Sequence, residues 1–511
     1  MKSFIPFLLS FLCAVGLAAG SRQGGPAESQ PVSGQPVVVD PKRDVRYLGL
    51  ARNGIDVFLG VHYGQDTSGE QRFKPPRLFV PARGATVDAT AYGAACPQIL
   101  GLAFPPIAIT NVTEISEDCL TLNIARPRGT RPGADLPVLV FLHGGGFWIG
   151  NTFEITNAPD GLILQSVEHG LPIVHVHVGY RLGGECQPES PAQPPRPADP
   201  GRDGPQLTTP VFGFAKSEAL RAEGSENAGL RDHRLALEWV RDNIALFGGN
   251  PNRVTLAGQS SGSLGAAMQV LAYGGGRGPA PLQQVLLQSQ SLEPGITGAF
   301  TTDAMRAVAD AVGCNATGLQ SAATVRCLRG LSAEALMAGA AATYQSDIAH
   351  NIGDIWLPSV DGDFLPDRPS VLLREGRYAK GVATAAGWSE NDLSLFTDQT
   401  IKTADETRAF FAAYMPGVSA ANVEKLLALY PVGEFRAQEG LSAEFYRAAQ
   451  IFRDILMVCE AVWYGEQVSR TGSDVYLYDW NQTMLAAPLK VEINPAGPCK
   501  SAREQWRERK C

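Results

Sequence analysis

Short, continuously apolar runs recur along the chain and predict buried strands. The clearest are residues 137–142, 173–178, 254–257 and 285–287. Before the third run, apolar residues between 236 and 247 recur at helical spacing and end at Gly248 and Gly249, as expected for an amphipathic helix. Strands that alternate with helices are typical of a mostly parallel sheet with helices on both faces. The pattern therefore predicts one large α/β domain after a β-rich start.

Two segments depart from this order. Residues 184–210 are rich in proline and have no hydrophobic period, although they follow a strand-like run that ends near Leu182. Residues 490–511 are densely charged and equally aperiodic, in contrast to the strand-like residues 475–478. We therefore expect a domain spanning residues 35–489, with an atypical insert at 184–210 and an atypical tail at 490–511.

The first 20 residues predict a cleaved secretory signal. The apolar residues 4–17 follow Lys2, are too few to span a bilayer and end in small residues. A buried N-terminal helix is the alternative, which Pro6 disfavours. Secretion would place the remaining cysteines in an oxidising compartment, where close pairs form disulfides. We expect an extracellular protein, with Asn-x-Thr glycosylation sites at Asn111, Asn315 and Asn481.

Composition restricts the classes of function. The 511 residues include 43 basic and 51 acidic ones, and the net charge of -8 disfavours binding to nucleic acid. The apolar fraction of 44% is enough for a large core. No other apolar stretch approaches the about 20 residues that a membrane-spanning helix needs. We expect neither a nucleic-acid partner nor a stable membrane span, and the sequence leaves the oligomeric state open.

A Gly-x-Ser-x-Gly motif at residues 258–262 directly follows the strand-like run 254–257 and precedes a helix-compatible segment. A serine on such a sharp turn projects its oxygen at the helix N-terminus, which is the geometry of a nucleophile elbow. An ordinary turn is the alternative, which the flanking strand and helix disfavour. We predict Ser260 as a nucleophile.

A glycine-rich loop upstream complements this motif. Gly144, Gly145 and Gly146 follow the strand-like run 137–142. Successive glycines allow backbone N–H groups to approach an oxyanion closely. A flexible loop without function is the alternative. We predict the amides of Gly145, Gly146 and Ser261 as oxyanion donors.

Longer motifs carry a resemblance to a known family. They are EDCLTLNIARP from Glu117, LPVLVFLHGGGFWIGN from Leu136, NAGLRDHRLALEWVRDNIALFGGNPNRVTLAGQSSG from Asn227 and VDGDFLPDRP from Val360. In this order they resemble the type-B carboxylesterase and lipase family of the α/β-hydrolase fold, especially its secreted fungal esterases. The resemblance covers about residues 35–485.

The resemblance implies hydrolysis of a small-molecule or lipid carboxylic ester by a Ser, an acidic residue and a His in that chain order. It implies no metal or organic cofactor. It also implies disulfides that pair Cys96 with Cys119 and Cys314 with Cys327. Family members commonly have Glu, Ala and Gly around the serine, where this chain has Gln259, Ser261 and Ser263. Only a backbone N–H is needed at the middle position, so we expect these differences to adjust activity.

The acidic residue of the family follows a strand and a glycine. Gly387 follows the strand-like run 381–386, and the family register then places Asp392 at the position of the acid. Glu390 is the alternative. Leu393 stands where the family has a glycine.

No histidine occupies the position of the base. The seven histidines are His62, His143, His169, His175, His177, His233 and His350, and none follows Asp392. A serine nucleophile needs a base within hydrogen-bond reach. His175 and His177 share one face of a strand and could form a metal-binding pair. No third ligand is evident, so we predict a packed strand and no metal site. In the family, the histidine follows a stretch like residues 476–483, and this chain departs from the family after about residue 489.

Translation of unspliced intron sequence would explain both atypical segments, and we expect that origin for them. Cys186, Cys499 and Cys511 would then be incidental, and Cys459 would be a free or buried thiol. The alternatives are a truncated, catalytically impaired relative and a non-catalytic binding protein on the same fold.

Overall fold

The structure is a computed structural model that describes residues 34–98, 112, 114–183, 211–290, 299–347, 356–415, 417–438 and 440–481. The strands are β1 (Val37–Asp40), β2 (Val45–Leu48), β3 (Leu50–Arg52), β4 (Ile55–His62), β5 (Thr86–Asp88), β6 (Thr121–Pro127), β7 (Leu136–Leu142), β8 (Val174–Val178), β9 (Gly249–Gln259), β10 (Gln284–Gln288), β11 (Ala383–Ser389) and β12 (Val475–Trp480). The helices are α1 (Asp160–Glu168), α2 (Glu218–Glu223), α3 (Ala228–Asn243), α4 (Ser261–Leu271), α5 (Phe300–Ala311), α6 (Ala322–Gly330), α7 (Ala333–Asp347), α8 (Pro369–Arg374), α9 (Ala404–Tyr414), α10 (Ala420–Leu429), α11 (Ala443–Arg453) and α12 (Cys459–Ser469).

One nine-stranded sheet organises the molecule, in the order β12-β11-β10-β9-β7-β8-β6-β4-β3. Neighbouring strands from β12 to β8 are parallel, whereas β6, β4 and β3 pair antiparallel at the other end. A small sheet is formed by β1, β2 and β5, and β3 and β4 of the large sheet lie between β2 and β5 in the chain. The predicted strands are confirmed, and the sheet is mostly parallel, as expected.

Helices cover both faces of the large sheet. Val57 and Leu59 of β4 pack with Ile163 of α1 on one face. Phe58, which alternates with them, packs edge-on against Phe247 on the other face, with ring centroids 5.1 Å apart. This alternation is what a strand buried on two faces requires.

The helix predicted before the nucleophile motif is α3. It ends at Asn243 and continues as a 3₁₀ turn, Ile244–Phe247, which Gly248 terminates with a φ of 90°. A left-handed glycine after a helix satisfies the last carbonyl groups without a side-chain clash. The glycine stop is therefore confirmed.

The chain leaves and re-enters the fold at adjacent points around residues 184–210. Gly183 donates its N–H to the carbonyl of Phe147 at 2.8 Å, and Gly213 donates to Leu182 at 2.8 Å. The predicted insert itself lies outside the described residues, as do the signal, the tail, Asn111 and His350. Among the described residues, no helix has both the length and the apolar character that crossing a bilayer requires.

The two disulfides implied by the resemblance are present. Cys96 is bonded to Cys119, and Cys314 is bonded to Cys327. The expectation of a free or buried thiol at Cys459 is wrong, because Cys459 is also disulfide-bonded. Its partner lies outside the described residues, where sequence spacing gave no signal of a pair.

Candidate active site

Ser260 lies on a tight turn between β9 and α4. Its backbone has φ 55° and ψ -125°, a conformation that non-glycine residues rarely adopt. Its N–H donates to the carbonyl of Gln288 at 2.8 Å, which ties the turn to β10. A Cβ atom at Gly258 would collide with the backbone of Gly262. The geometry is that of a strained strand-to-helix elbow that glycine makes possible.

The glycine loop after β7 faces this elbow. A Cβ atom at Gly144 would lie 3.1 Å from Cβ of Ser260. Gly145 and Gly146 have φ values of 111° and 62°, which favour glycine. Their N–H groups find no hydrogen-bond acceptor within the described part of the chain. Unpaired amides beside a strained serine are suited to hold an oxyanion.

Tyr180 supports this loop, and the sequence gave no signal of its role. Its hydroxyl donates to the carbonyl of His143 at 2.6 Å. Its ring stacks on the imidazole of His143, with centroids 4.4 Å apart and an interplanar angle of 16°. Both residues are buried, so the base of the glycine loop is held rigidly.

Asp392 lies in the loop that follows β11. One carboxylate oxygen accepts a hydrogen bond from the N–H of Ser389 at 2.9 Å. The carboxylate also accepts from the side chain of Ser289. Burial raises the pKa of Asp392, and these hydrogen bonds and the charge of Arg453 oppose that rise. The carboxylate is therefore half-buried, oriented and held in place by its neighbours.

Glu390, the alternative acid, has a different partner. Its carboxylate lies 3.2 Å from the guanidinium of Arg453, which also donates to the Glu390 backbone carbonyl. Arg453 is buried at the end of α11, directly before a π-helical turn, Asp454–Val458. Glu390 is thus held in an ion pair, whereas Asp392 accepts hydrogen bonds from Ser389 and Ser289.

The sheet brings the nucleophile and the acid loop to the same edge. Gln288 of β10 is in register with both Gln259 of β9 and Gly387 of β11. Ser289, directly after β10, has a φ of 52° and donates its N–H to the carbonyl of Gly387 at 2.8 Å. It therefore lies between the elbow and the acid loop. Its only sequence signal was a polar residue at the end of a buried apolar strand.

The described histidines do not hydrogen-bond to Ser260 or Asp392. Burial lowers the pKa of His143 and His175 to about 4 and that of His233 to about 3. His177 is shifted in the same direction for the same reason. Nδ1 of His143 lies 3.0 Å from the carbonyl of Gly144. These four side chains are neutral packing elements in the described structure.

The other two described histidines lie near the surface. His62 contacts Asp118 at 3.6 Å, and His169 follows α1 in an exposed position. Among the described residues, no three or more His, Cys, Asp or Glu side chains are arranged to hold a metal ion.

A parallel sheet with a serine elbow after one strand, a glycine loop after its neighbour and an acidic loop two strands away defines an α/β-hydrolase. A model of the carboxylesterase family matches residues 46–184 and 209–502. The chain belongs to this family. The match leaves out most of the predicted insert and continues beyond residue 489.

Relatives and solved structures agree with this assignment. A secreted lipase of Arthroderma benhamiae is 48% identical over 459 residues, which cover 89% of this chain and 76% of the lipase. An inactive carboxylesterase-like protein of Byssochlamys spectabilis is 33% identical over 473 residues, with coverage of 89% and 75%. Secreted lipase 1 of Botryotinia fuckeliana is 31% identical over 432 residues, with coverage of 80% and 68%.

The fold is shared with solved structures of esterases. Aspergillus niger EstA superposes with a TM-score of 0.69 at 23% identity, over 92% of this chain and 84% of that chain. A thermophilic pNB esterase superposes with a TM-score of 0.66 at 25% identity, over 87% and 79%.

Proposed function

We propose that this protein is a secreted carboxylic ester hydrolase that acts through an acyl-enzyme on Ser260. One observation carries the proposal: the strained serine faces a loop whose amides at Gly145 and Gly146 have no acceptor in the described chain. The secreted lipases among its relatives support both the extracellular location and an ester of a lipid or small molecule as substrate.

In the proposed reaction, Oγ of Ser260 attacks the ester carbonyl, and the amides of Gly145, Gly146 and Ser261 hold the negative charge on the former carbonyl oxygen. The alcohol leaves, and water then releases the acid from the serine. The amide of Ser261 begins α4, so the helix dipole adds to oxyanion stabilisation. Asp392 is the acid whose negative charge would stabilise a protonated base.

The base sets the rate of this reaction. In the described part of the chain, no histidine hydrogen-bonds to Ser260 or Asp392. Without a base, the oxyanion donors alone retain a residual acceleration of about 10³–10⁴ over water. This observation favours a second candidate, a catalytically impaired relative that still binds esters. The relative from Byssochlamys spectabilis that is named an inactive carboxylesterase-like protein supports this candidate.

A fluorophosphonate probe and hydrolysis of p-nitrophenyl butyrate test the proposal. We expect Ser260→Ala to abolish both labelling and turnover, while Ser469→Ala, on the exposed end of α12, leaves them unchanged. Asp392→Asn should lower turnover, whereas Glu390→Gln should not, because Glu390 pairs with Arg453. A folded protein that neither reacts with the probe nor hydrolyses the ester would refute the esterase proposal.

Imidazole in solution separates the two candidates. If the site lacks an effective base, added imidazole should raise turnover by the native chain and leave Ser260→Ala at the rate of the imidazole blank. If a base is present, turnover will already be high and insensitive to imidazole. Probe labelling of Ser260 together with ester turnover that rises when imidazole is added supports the impaired relative. High ester turnover without imidazole supports the competent hydrolase.

A further inference from the structure

Tyr180 lies at the edge of the sheet where the glycine loop begins. Val178, the last residue of β8, is in register with Leu142, the last residue of β7. Tyr180 follows β8 by two residues, so it emerges beside His143, the first residue after β7. It is 1% exposed. The fold thus brings a buried phenol to the start of the loop, although 37 positions of sequence separate Tyr180 from His143.

Two imidazole rings fix the ring of Tyr180. It stacks on His143, with centroids 4.4 Å apart, and meets His233 of α3 edge-on, with centroids 4.2 Å apart. His233 in turn packs against α4, because a Cβ atom at Gly265 would lie 2.7 Å from its ring. A phenol packed between two buried rings keeps one orientation, so the direction of its hydroxyl is set in advance.

The hydroxyl joins the loop where the loop touches the elbow helix. It donates to the carbonyl of His143 at 2.6 Å, and a Cβ atom at Gly262 of α4 would lie 2.5 Å from the same carbonyl oxygen. Burial raises the pKa of Tyr180, and the neighbouring Ser261 side chain opposes that rise. The hydroxyl therefore stays protonated near pH 7 and remains a donor.

The position of this bond sets the direction of the glycine turn. The N–H groups of Trp148 and Ile149 both donate to the carbonyl of Gly145, at 2.9 and 3.1 Å, so the turn is closed on itself. A closed turn changes direction as a unit, and the carbonyl held by Tyr180 lies two residues before Gly145. The amides of Gly145 and Gly146 therefore take their direction from a peptide that Tyr180 holds.

We propose that Tyr180 is a positioning residue of the oxyanion hole, which holds the carbonyl of His143 and thereby aims the amides of Gly145 and Gly146 at the oxyanion formed beside Ser260. This role rests on the proposed function. Tyr180 does not touch the substrate in this proposal. The oxyanion exists only in the transition state and the intermediate, so misdirected amides weaken transition-state stabilisation and leave substrate binding largely unchanged.

Tyr180→Phe tests this role, because it removes the hydroxyl and keeps the ring. Loss of a whole oxyanion donor lowers kcat by about 10²–10³-fold, and donors that are misdirected but present should cost less. We expect kcat for p-nitrophenyl butyrate to fall about 10- to 100-fold and KM to change less than about threefold. All variants are compared at one imidazole concentration. An unchanged kcat, or a loss confined to KM, would overturn the proposal.

Tyr378→Phe is the matched control. Tyr378 is also buried, and its hydroxyl donates to a backbone carbonyl at 2.8 Å, but that carbonyl belongs to Gln467 of α12. The loss of one buried hydrogen bond is small against the stability of a domain, so both variants should fold, as circular dichroism can verify. Tyr378→Phe should keep the native kcat. An equal fall in kcat in both variants would show a general effect of lost stability and contradict the positioning role.

A thionoester substrate separates an oxyanion-hole defect from other losses. In p-nitrophenyl thionobutyrate, sulfur replaces the carbonyl oxygen and accepts hydrogen bonds more weakly, so correctly aimed amides favour the oxygen ester. The ratio of kcat/KM for the two esters should fall about 10-fold or more in Tyr180→Phe and stay native in Tyr378→Phe. Equal losses on both esters in Tyr180→Phe would overturn the proposal.

The native chain separates this role from the proposed function. If it neither reacts with a fluorophosphonate nor hydrolyses either ester, the proposed function fails and the positioning role fails with it. If it is active and Tyr180→Phe is equally active, the positioning role alone is refuted.

Discussion

A buried ion pair beside the predicted insert offers a quantitative test of the fold. The side chains of Arg181 and Asp232 are 2% and 0% exposed. The guanidinium donates to the two carboxylate oxygens at 2.8 and 2.6 Å, and the N–H of Arg181 donates at 3.1 Å. The pair joins the chain entering the insert to α3, which precedes the nucleophile strand.

Replacing Arg181 by Met retains most of the volume and leaves the Asp232 carboxylate buried without its cation. Removing one partner of a buried pair costs about 3–5 kcal/mol of unfolding free energy. The double variant Arg181→Met/Asp232→Leu removes the buried charge as well. It leaves the backbone N–H of residue 181 without its acceptor, at a cost of about 1–3 kcal/mol. Both variants also lose the hydrogen bond from the guanidinium to the carbonyl of Lys74, so this loss does not affect their difference. We therefore expect the double variant to be more stable than Arg181→Met alone.

The pH dependence gives an independent signature. Burial raises the pKa of Asp232, against the opposing effect of Arg181. Without Arg181 the pKa rises further, and a folded-state pKa above the unfolded value favours folding at low pH and disfavours it as pH rises. The deficit of Arg181→Met should therefore shrink as pH falls from 7 towards 4.

Urea unfolding, followed by tryptophan fluorescence, measures these differences. The control is Arg241→Met, whose exposed pair with Asp242 should contribute less than about 1 kcal/mol. The reasoning is refuted if Arg181→Met is as stable as the control variant, or if the double variant is less stable than Arg181→Met.

Three further outcomes are expected. The Arg329 guanidinium lowers the pKa of Glu223 to about 2, so this pair stabilises the fold above pH 4.5 and the effect is lost towards pH 2. Because Glu223 is 38% exposed, Glu223→Gln should reduce the acid-induced loss of unfolding free energy, measured with urea, by less than about 1 kcal/mol. Burial lowers the pKa of His175 to about 4, so its protonation destabilises the fold as pH falls from 6.5. His175→Leu should remove on the order of 3 kcal/mol of this acid-induced loss of unfolding free energy, whereas His169→Leu, at an exposed position, should not; an unchanged dependence of stability on pH in His175→Leu would contradict this. Deleting residues 185–208 should preserve the circular dichroism spectrum and urea midpoint, because the N–H of Gly213 already donates to the carbonyl of Leu182 at the base of this segment. Loss of the folded state would show that the insert is required.

Local signals were sufficient where structure depends on neighbouring residues. A continuous apolar run identifies a buried strand, and Gly248 ends a helix for reasons that lie within one turn. The elbow around Ser260 was predictable because the strand, the glycines and the helix are consecutive in sequence. The two confirmed disulfides came from the family resemblance.

Long-range contacts were not predictable in this way. Ser289 contacts Asp392 because two strands lie in register, and no local pattern specifies that register. Arg453 reaches Glu390 across 63 positions of sequence. Cys459 was assigned as a free or buried thiol because Cys186, Cys499 and Cys511 lie in the two atypical segments, yet Cys459 is disulfide-bonded.

The buried histidines show how the same side chain can be unsuited to catalysis. His143 is next to the glycine loop, but its ring stacks on Tyr180 and its Nδ1 contacts the carbonyl of Gly144. Burial lowers its pKa to about 4, so it accepts a proton poorly near pH 7. A general base needs both hydrogen-bond reach and a pKa near the working pH. His143 therefore supports the glycine loop that carries the proposed oxyanion donors Gly145 and Gly146, and the proposed proton transfer from Ser260 would require a different group.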